Sequence, residues 1–86
     1  MVFGTCMSTF HLVIASVGET RYDGPTVSAT FPGSDGELTV LAHHEPFVTT
    51  LKQGTITVRA VSSDPQTFDI KDGVLEVSGN HAVVLL

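Results

Sequence analysis

The chain has 86 residues, enough for one domain, and its 42% hydrophobic and 15% charged residues suit a packed core better than a disordered tail. Four Lys and Arg stand against nine Asp and Glu, a formal charge of −5, and no basic run could displace counterions from a phosphate backbone; nucleic acid is not an expected partner. Apolar runs such as Ala82 to Leu86 fall far short of the ~20 residues of a membrane-spanning helix, so direct membrane insertion is not expected. One cysteine, Cys6, excludes an internal disulfide and a multi-cysteine zinc site, and points to a reducing, cytoplasmic compartment.

Residues 1–8 read as a frayed N-terminal extension. They lack the basic and apolar blocks of a signal peptide, Met7 is an alternative start, and Cys6 has no basic neighbour to activate its thiol. From residue 9 onward the hydrophobic period is two, interrupted by turn residues every eight to twelve positions, the pattern of a sandwich or barrel. No helix longer than a turn is predicted.

Phe10, Leu12 and Ile14 alternate with His11, Val13 and Ala15 in a first strand that ends near Val17-Gly18, with its second face also rather apolar. After Glu19 to Tyr22, Asp23-Gly24-Pro25 combines a glycine tolerant of positive φ with a residue that has no N–H, which predicts a chain reversal. Val27, Ala29 and Phe31 form the dry face of a strand that stops at Pro32-Gly33. Leu38 and Val40 resume the alternation after Asp35-Gly36, and Ala42-His43-His44-Glu45-Pro46 breaks it with a polar loop.

Phe47 to Leu51 is a short strand, Gln53-Gly54 a turn, and Thr55 to Val61 an amphipathic strand whose Ile56, Val58 and Ala60 should face the core. Ser62-Ser63-Asp64-Pro65 predicts a hairpin loop into Thr67 to Ile70. Lys71-Asp72-Gly73 and Gly79-Asn80 then delimit two more strands, so the end reads as a meander of hairpins. About eight to ten short, mainly antiparallel strands are too many for one twisted sheet in so short a chain; two packed sheets, an all-β sandwich over residues 9–86, are expected.

Catalytic chemistry finds little support. His43-His44-Glu45 has metal-ligating side chains, but adjacent residues rarely aim at one ion, and a solvated loop or protein contact is the plainer reading. Asp35 and Glu37 flank a turn glycine, where exposure rather than general acid and base work is expected. The two glycines of Pro32-Gly33-Ser34-Asp35-Gly36 lack a P-loop lysine, and no Gly-x-Ser-x-Gly elbow occurs. No catalytic residue, metal or cofactor is assigned.

Taken in order, Phe31-Pro32-Gly33-Ser34-Asp35-Gly36-Glu37-Leu38, then Leu41, His44, Pro46, Thr50, Leu51 and Gly54, resemble the epsilon subunit of F-type ATP synthases. His11-Leu12, Tyr22-Asp23-Gly24, Phe68, Gly73-Val74-Leu75-Glu76-Val77, and Asn80 followed by Val83-Val84-Leu85 extend the likeness over roughly residues 9 to 86. Each piece is only a turn or a hairpin; the ordered combination is specific.

The resemblance implies an N-terminal β-sandwich that is a non-catalytic rotor part at the foot of the central stalk, binding the gamma subunit and the polar loops of the c-ring. It would couple ring rotation, driven by proton flow, to ATP synthesis. It implies a peripheral location on the cytoplasmic face of the bacterial inner membrane, and a monomer when isolated. Carried over residue by residue, the ring side maps onto Asp35, Gly36, Glu37 and His44.

Two departures stand out. Where many members have Pro-Gly-His, this chain has Ala42-His43-His44. The match also ends at Leu86, whereas many epsilon subunits continue into a helical hairpin that inhibits hydrolysis or senses ATP, so neither activity is expected of these residues. The competing reading, a stand-alone ligand-binding β-sandwich such as a sugar-binding module, would want exposed aromatics, but tryptophan is absent and most Phe positions read as core.

Overall fold

The structure is a computed structural model that describes residues 9–43, 45–60 and 64–86. The expectations for residues 1–8, Cys6 among them, for His44, and for the Ser62-Ser63 part of the hairpin loop lie outside the described residues. Among the described residues nine strands are formed: β1 (Phe10–Ser16), β2 (Glu19–Thr26), β3 (Ser28–Gly33), β4 (Gly36–Leu41), β5 (Phe47–Leu51), β6 (Gly54–Arg59), β7 (Gln66–Ile70), β8 (Gly73–Ser78) and β9 (His81–Leu85). No described residue is helical.

The hydrogen-bonded order is β2-β1-β9-β8-β5-β3-β6-β7, with β4 on the other side of β3. Two groups of strands emerge, β2-β1-β9-β8-β5 and β4-β3-β6-β7. They share one residue pair, Gly33 with Leu51, so a single ladder curls into two facing layers. Ser34 N–H to Thr50 O at 3.1 Å and Lys52 N–H to Pro32 O at 2.9 Å continue this seam. Every pairing is antiparallel except β1 with β9, where His11 to Ala15 run parallel to His81 to Leu85.

The core lies between the layers. Phe10, Leu12 and Ile14 of β1, Leu75 and Val77 of β8, and Ala82 and Val84 of β9 face Ala29 and Phe31 of β3, Val40 of β4, and Ile56 and Val58 of β6, all buried. Each large side chain removed from water there contributes about 1.5–3 kcal/mol, and alternation within each strand aims it inward. Among the described residues Thr26 is the buried polar one, and its hydroxyl reaches Gly24 O and Tyr22 Oη, each at 3.4 Å. On the side away from the β3–β5 seam, Tyr22 of β2 meets Phe68 of β7 edge to face, ring centroids 6.2 Å apart.

Three local expectations are corrected. Asp23-Gly24-Pro25 is not a reversal: it lies inside β2, opposite Val13, Leu12 and His11, and neither Asp23 nor Gly24 has positive φ. Among the described residues β2 pairs only with β1, and an edge strand tolerates a proline that offers no N–H to a second neighbour. The chain reverses before β2 at Val17-Gly18, where Gly18 has φ 81°, and at Val27 it bends out of β2 into β3 of the other layer.

Ala60 lies just past β6 and is only partly buried. The C-terminal half is not a simple meander either. β6–β7 and β8–β9 are hairpins, but Lys71-Asp72 carries the chain from one layer to the other, because β7 pairs with β6 and β8 with β5 and β9.

Candidate partner-binding surfaces

The β3–β4 hairpin closes over Ser34-Asp35. Gly33 pairs with Gly36, and Gly36 takes φ 132°, so the reversal falls on a residue without Cβ. Ser34 Oγ lies 2.8 Å from Thr50 Oγ1, which ties the tip to β5. Asp35, Gly36 and Glu37 are exposed, and neither carboxylate forms an ion pair with a described residue. The tip is thus an acidic projection on a scaffolded hairpin, uncompensated among the described residues.

The β4–β5 loop lies elsewhere. Gly36 starts β4 and Leu41 ends it, so the strand's rise of about 3.4 Å from each residue to the next separates the tip from the loop by roughly 17 Å. His43 and Glu45 flank His44 at that far end, and His43 N–H donates to Asn80 Oδ1 at 2.7 Å. Asp35, Gly36 and Glu37 are therefore brought together, and the loop that contains His44 is not brought to them.

His43 has φ 62°, a left-handed conformation that costs a residue with Cβ about 1–2 kcal/mol. This is the position where the sequence departs from Pro-Gly-His. The backbone takes a glycine-like turn here although the residue carries a Cβ. Asn80, at φ 61° in the β8–β9 turn, also donates from Nδ2 to Thr9 O at 2.9 Å, and its own carbonyl accepts from His11 N–H at 3.2 Å. Among the described residues, no group of three His, Cys, Asp or Glu side chains is placed to hold a metal ion.

A further surface was legible only as the apolar second face of β1. On the outside of β2-β1-β9-β8-β5, one row runs Thr50, Val74, Leu85, Ala15, and the next runs Val48, Glu76, Val83, Val13, Asp23. Val48 is 65% exposed, Leu85 58% and Val74 38%, and Val13, Ala15 and Val83 are partly buried beside them. Glu76 interrupts the second row between Val48 and Val83; the remaining side chains form an apolar patch of the kind that protein partners cover. At its border His11 Nε2 meets Asp23 Oδ1 at 2.5 Å, and the His11 and His81 rings lie 5.7 Å apart. Each of these residues looks unremarkable alone; only strand pairing assembles the patch.

The sequence pattern of the family described as ATP synthase, Delta/Epsilon chain, beta-sandwich domain matches residues 9–86. The chain is 34% identical over 80 residues to the ATP synthase epsilon chain of Sulfurimonas denitrificans, covering 93% of this chain and 62% of that one. It is 30% identical over 79 residues to the ATP synthase epsilon chain of Caulobacter vibrioides, covering 92% and 91%. Of the Delftia acidovorans epsilon chain, at 29% identity, it spans 57%, so it covers little more than half the length of several such relatives.

Among solved structures, a chain of the Euglena gracilis mitochondrial ATP synthase, solved as OSCP/F1/c-ring, shares the fold with a TM-score of 0.85 at 23% identity, over 95% of this chain and 52% of that one. A chain from the central stalk and c-ring of the Tetrahymena thermophila enzyme follows, with a TM-score of 0.75 at 14% identity over 94% and 65%. These likenesses agree with the nine-stranded sandwich, and the match over residues 9–86 settles the relationship: the chain belongs to the ATP synthase delta/epsilon chain family and has that family's β-sandwich fold.

Proposed function

We propose that this domain is a non-catalytic rotor part of the central stalk of an F-type ATP synthase, which couples rotation of the c-ring to ATP synthesis by binding the gamma subunit and the ring. The observation that carries the proposal is the apolar outer face of Val13, Ala15, Val48, Val74, Val83 and Leu85 on a member of this family. Such a surface suits a lasting protein contact, since burying it gains about 25 cal/mol per Å². We assign it to the gamma subunit.

The acidic tip of Asp35, Gly36 and Glu37 is assigned to the polar loops of the c-ring, where an uncompensated carboxylate pair favours basic or amide-bearing partners. The loop that holds His44 is proposed as a second, separate contact on the same complex, because its neighbours lie at the other end of β4. With these partners the domain sits peripherally at the cytoplasmic face of a bacterial inner membrane. It turns over no substrate alone.

Co-purification tests this reading. The chain, mixed with gamma and c-ring from the same source, should elute with them, and Glu37→Lys should weaken ring assembly in a salt-dependent manner. Failure of the unaltered chain to bind either partner would remove the proposal.

A further inference from the structure

Asn80 is a turn residue by sequence, yet its side chain joins three segments far apart in the chain. Oδ1 accepts from His43 N–H at 2.7 Å, 37 residues away, and Nδ2 donates to Thr9 O at 2.9 Å, 71 residues away. The backbone takes part as well, since Asn80 O accepts from His11 N–H at the start of the parallel β1–β9 pair. One amide thus ties the β4–β5 loop to the β8–β9 turn and to the entry of β1.

The tie reaches the loop at its conformationally costly residue. His43 holds φ 62° with a side chain that disfavours it, so an external partner for its N–H selects that conformation over extended alternatives. Asn suits the opposite end, because it tolerates left-handed backbone and carries both an acceptor and a donor. Aspartate would keep the acceptor but could not donate to Thr9 O. Glycine would keep the left-handed turn and offer neither.

We infer that Asn80 is a positioning residue for the partner-contacting β4–β5 loop: by holding His43 N–H it fixes the backbone immediately before His44 and presents the loop preformed to its partner. This rests on the proposed role of that loop as a contact. Preorganisation of this kind raises affinity by lowering the ordering cost of binding.

The test compares wild type, Asn80→Gly and Asn80→Asp in amide hydrogen exchange, thermal unfolding and affinity for the gamma and c-ring subcomplex. In Asn80→Gly the acceleration of His43 amide exchange should exceed by at least tenfold that of core amides such as Leu75 and Val84, whose change reports only the global loss of stability. Affinity should fall at least fivefold. Asn80→Asp, which retains the acceptor, should restore His43 protection and most of the affinity.

His43 exchange that accelerates no more than that of the core amides in Asn80→Gly overturns the inference, as does its selective acceleration with undiminished binding. If wild type itself fails to bind, the proposed function falls, and the His43 exchange comparison alone decides whether Asn80 fixes the loop.

Discussion

Asn80 Oδ1 accepts the N–H of His43 at 2.7 Å, and both residues have φ near +60°. The left-handed turn of the β8–β9 hairpin and the left-handed residue of the β4–β5 connection thus brace each other at one end of the sandwich. Asn80→Ala removes two side-chain hydrogen bonds, worth about 1 kcal/mol each, and places a Cβ in a disfavoured conformation. A loss of about 2–4 kcal/mol in urea unfolding is expected, against about 1–2 for Asn80→Gly.

His43→Gly should act in the opposite direction. Relief of left-handed strain, about 1–2 kcal/mol, exceeds the extra entropy that glycine loses on folding, about 0.5–1 kcal/mol. The variant should gain up to about 1 kcal/mol and melt a few degrees higher, whereas His43→Val should melt lower.

Two glycines separate turn from strand in the same experiment. A Cβ on Gly33 would lie 2.6 Å from Gly36 O and 2.8 Å from Leu38 Cδ2, so Gly33→Ala must displace backbone at the tip of the β3–β4 hairpin and should cost about 2–3 kcal/mol. A Cβ on Gly24 would meet nothing nearer than Tyr22 Oη at 3.9 Å, and φ there is not positive. Gly24→Ala should therefore stay within about 0.5 kcal/mol of wild type; a large loss would restore the reversal that the local sequence suggests.

The His11–Asp23 contact at the border of the apolar face should matter little to folding. His11 and Asp23 side chains are 46% and 57% exposed, and exposed pairs are worth about 0–1 kcal/mol. Asp23→Asn should shift the unfolding midpoint only slightly.

Alternation made most of the strands readable, since Phe10, Leu12 and Ile14, or Ile56 and Val58, announce a buried face wherever the chain is extended. Asp23-Gly24-Pro25 misled because turn chemistry is local, while permission to run straight came from the edge position of β2. Pairing was harder still. Nothing near His11 tells it to lie parallel to His81, and the patch of Val48, Val74, Val83 and Leu85 exists only after that pairing. Asp35 to Glu37 were recognisable as an exposed tip, but the bonds of Asn80 span 37 and 71 residues and leave no trace in a local motif.

The central claim is that the outer face of the β2-β1-β9-β8-β5 layer binds the gamma subunit. Calorimetric titration of gamma with the wild-type chain and with Val48→Lys/Leu85→Lys tests it most directly, because both side chains are largely exposed, Glu76 lies opposite position 48, and their replacement should leave the fold intact. The account predicts a stoichiometric wild-type complex and at least a hundredfold loss of affinity in the variant, at a nearly unchanged melting temperature. Equal affinity in the two proteins would contradict it.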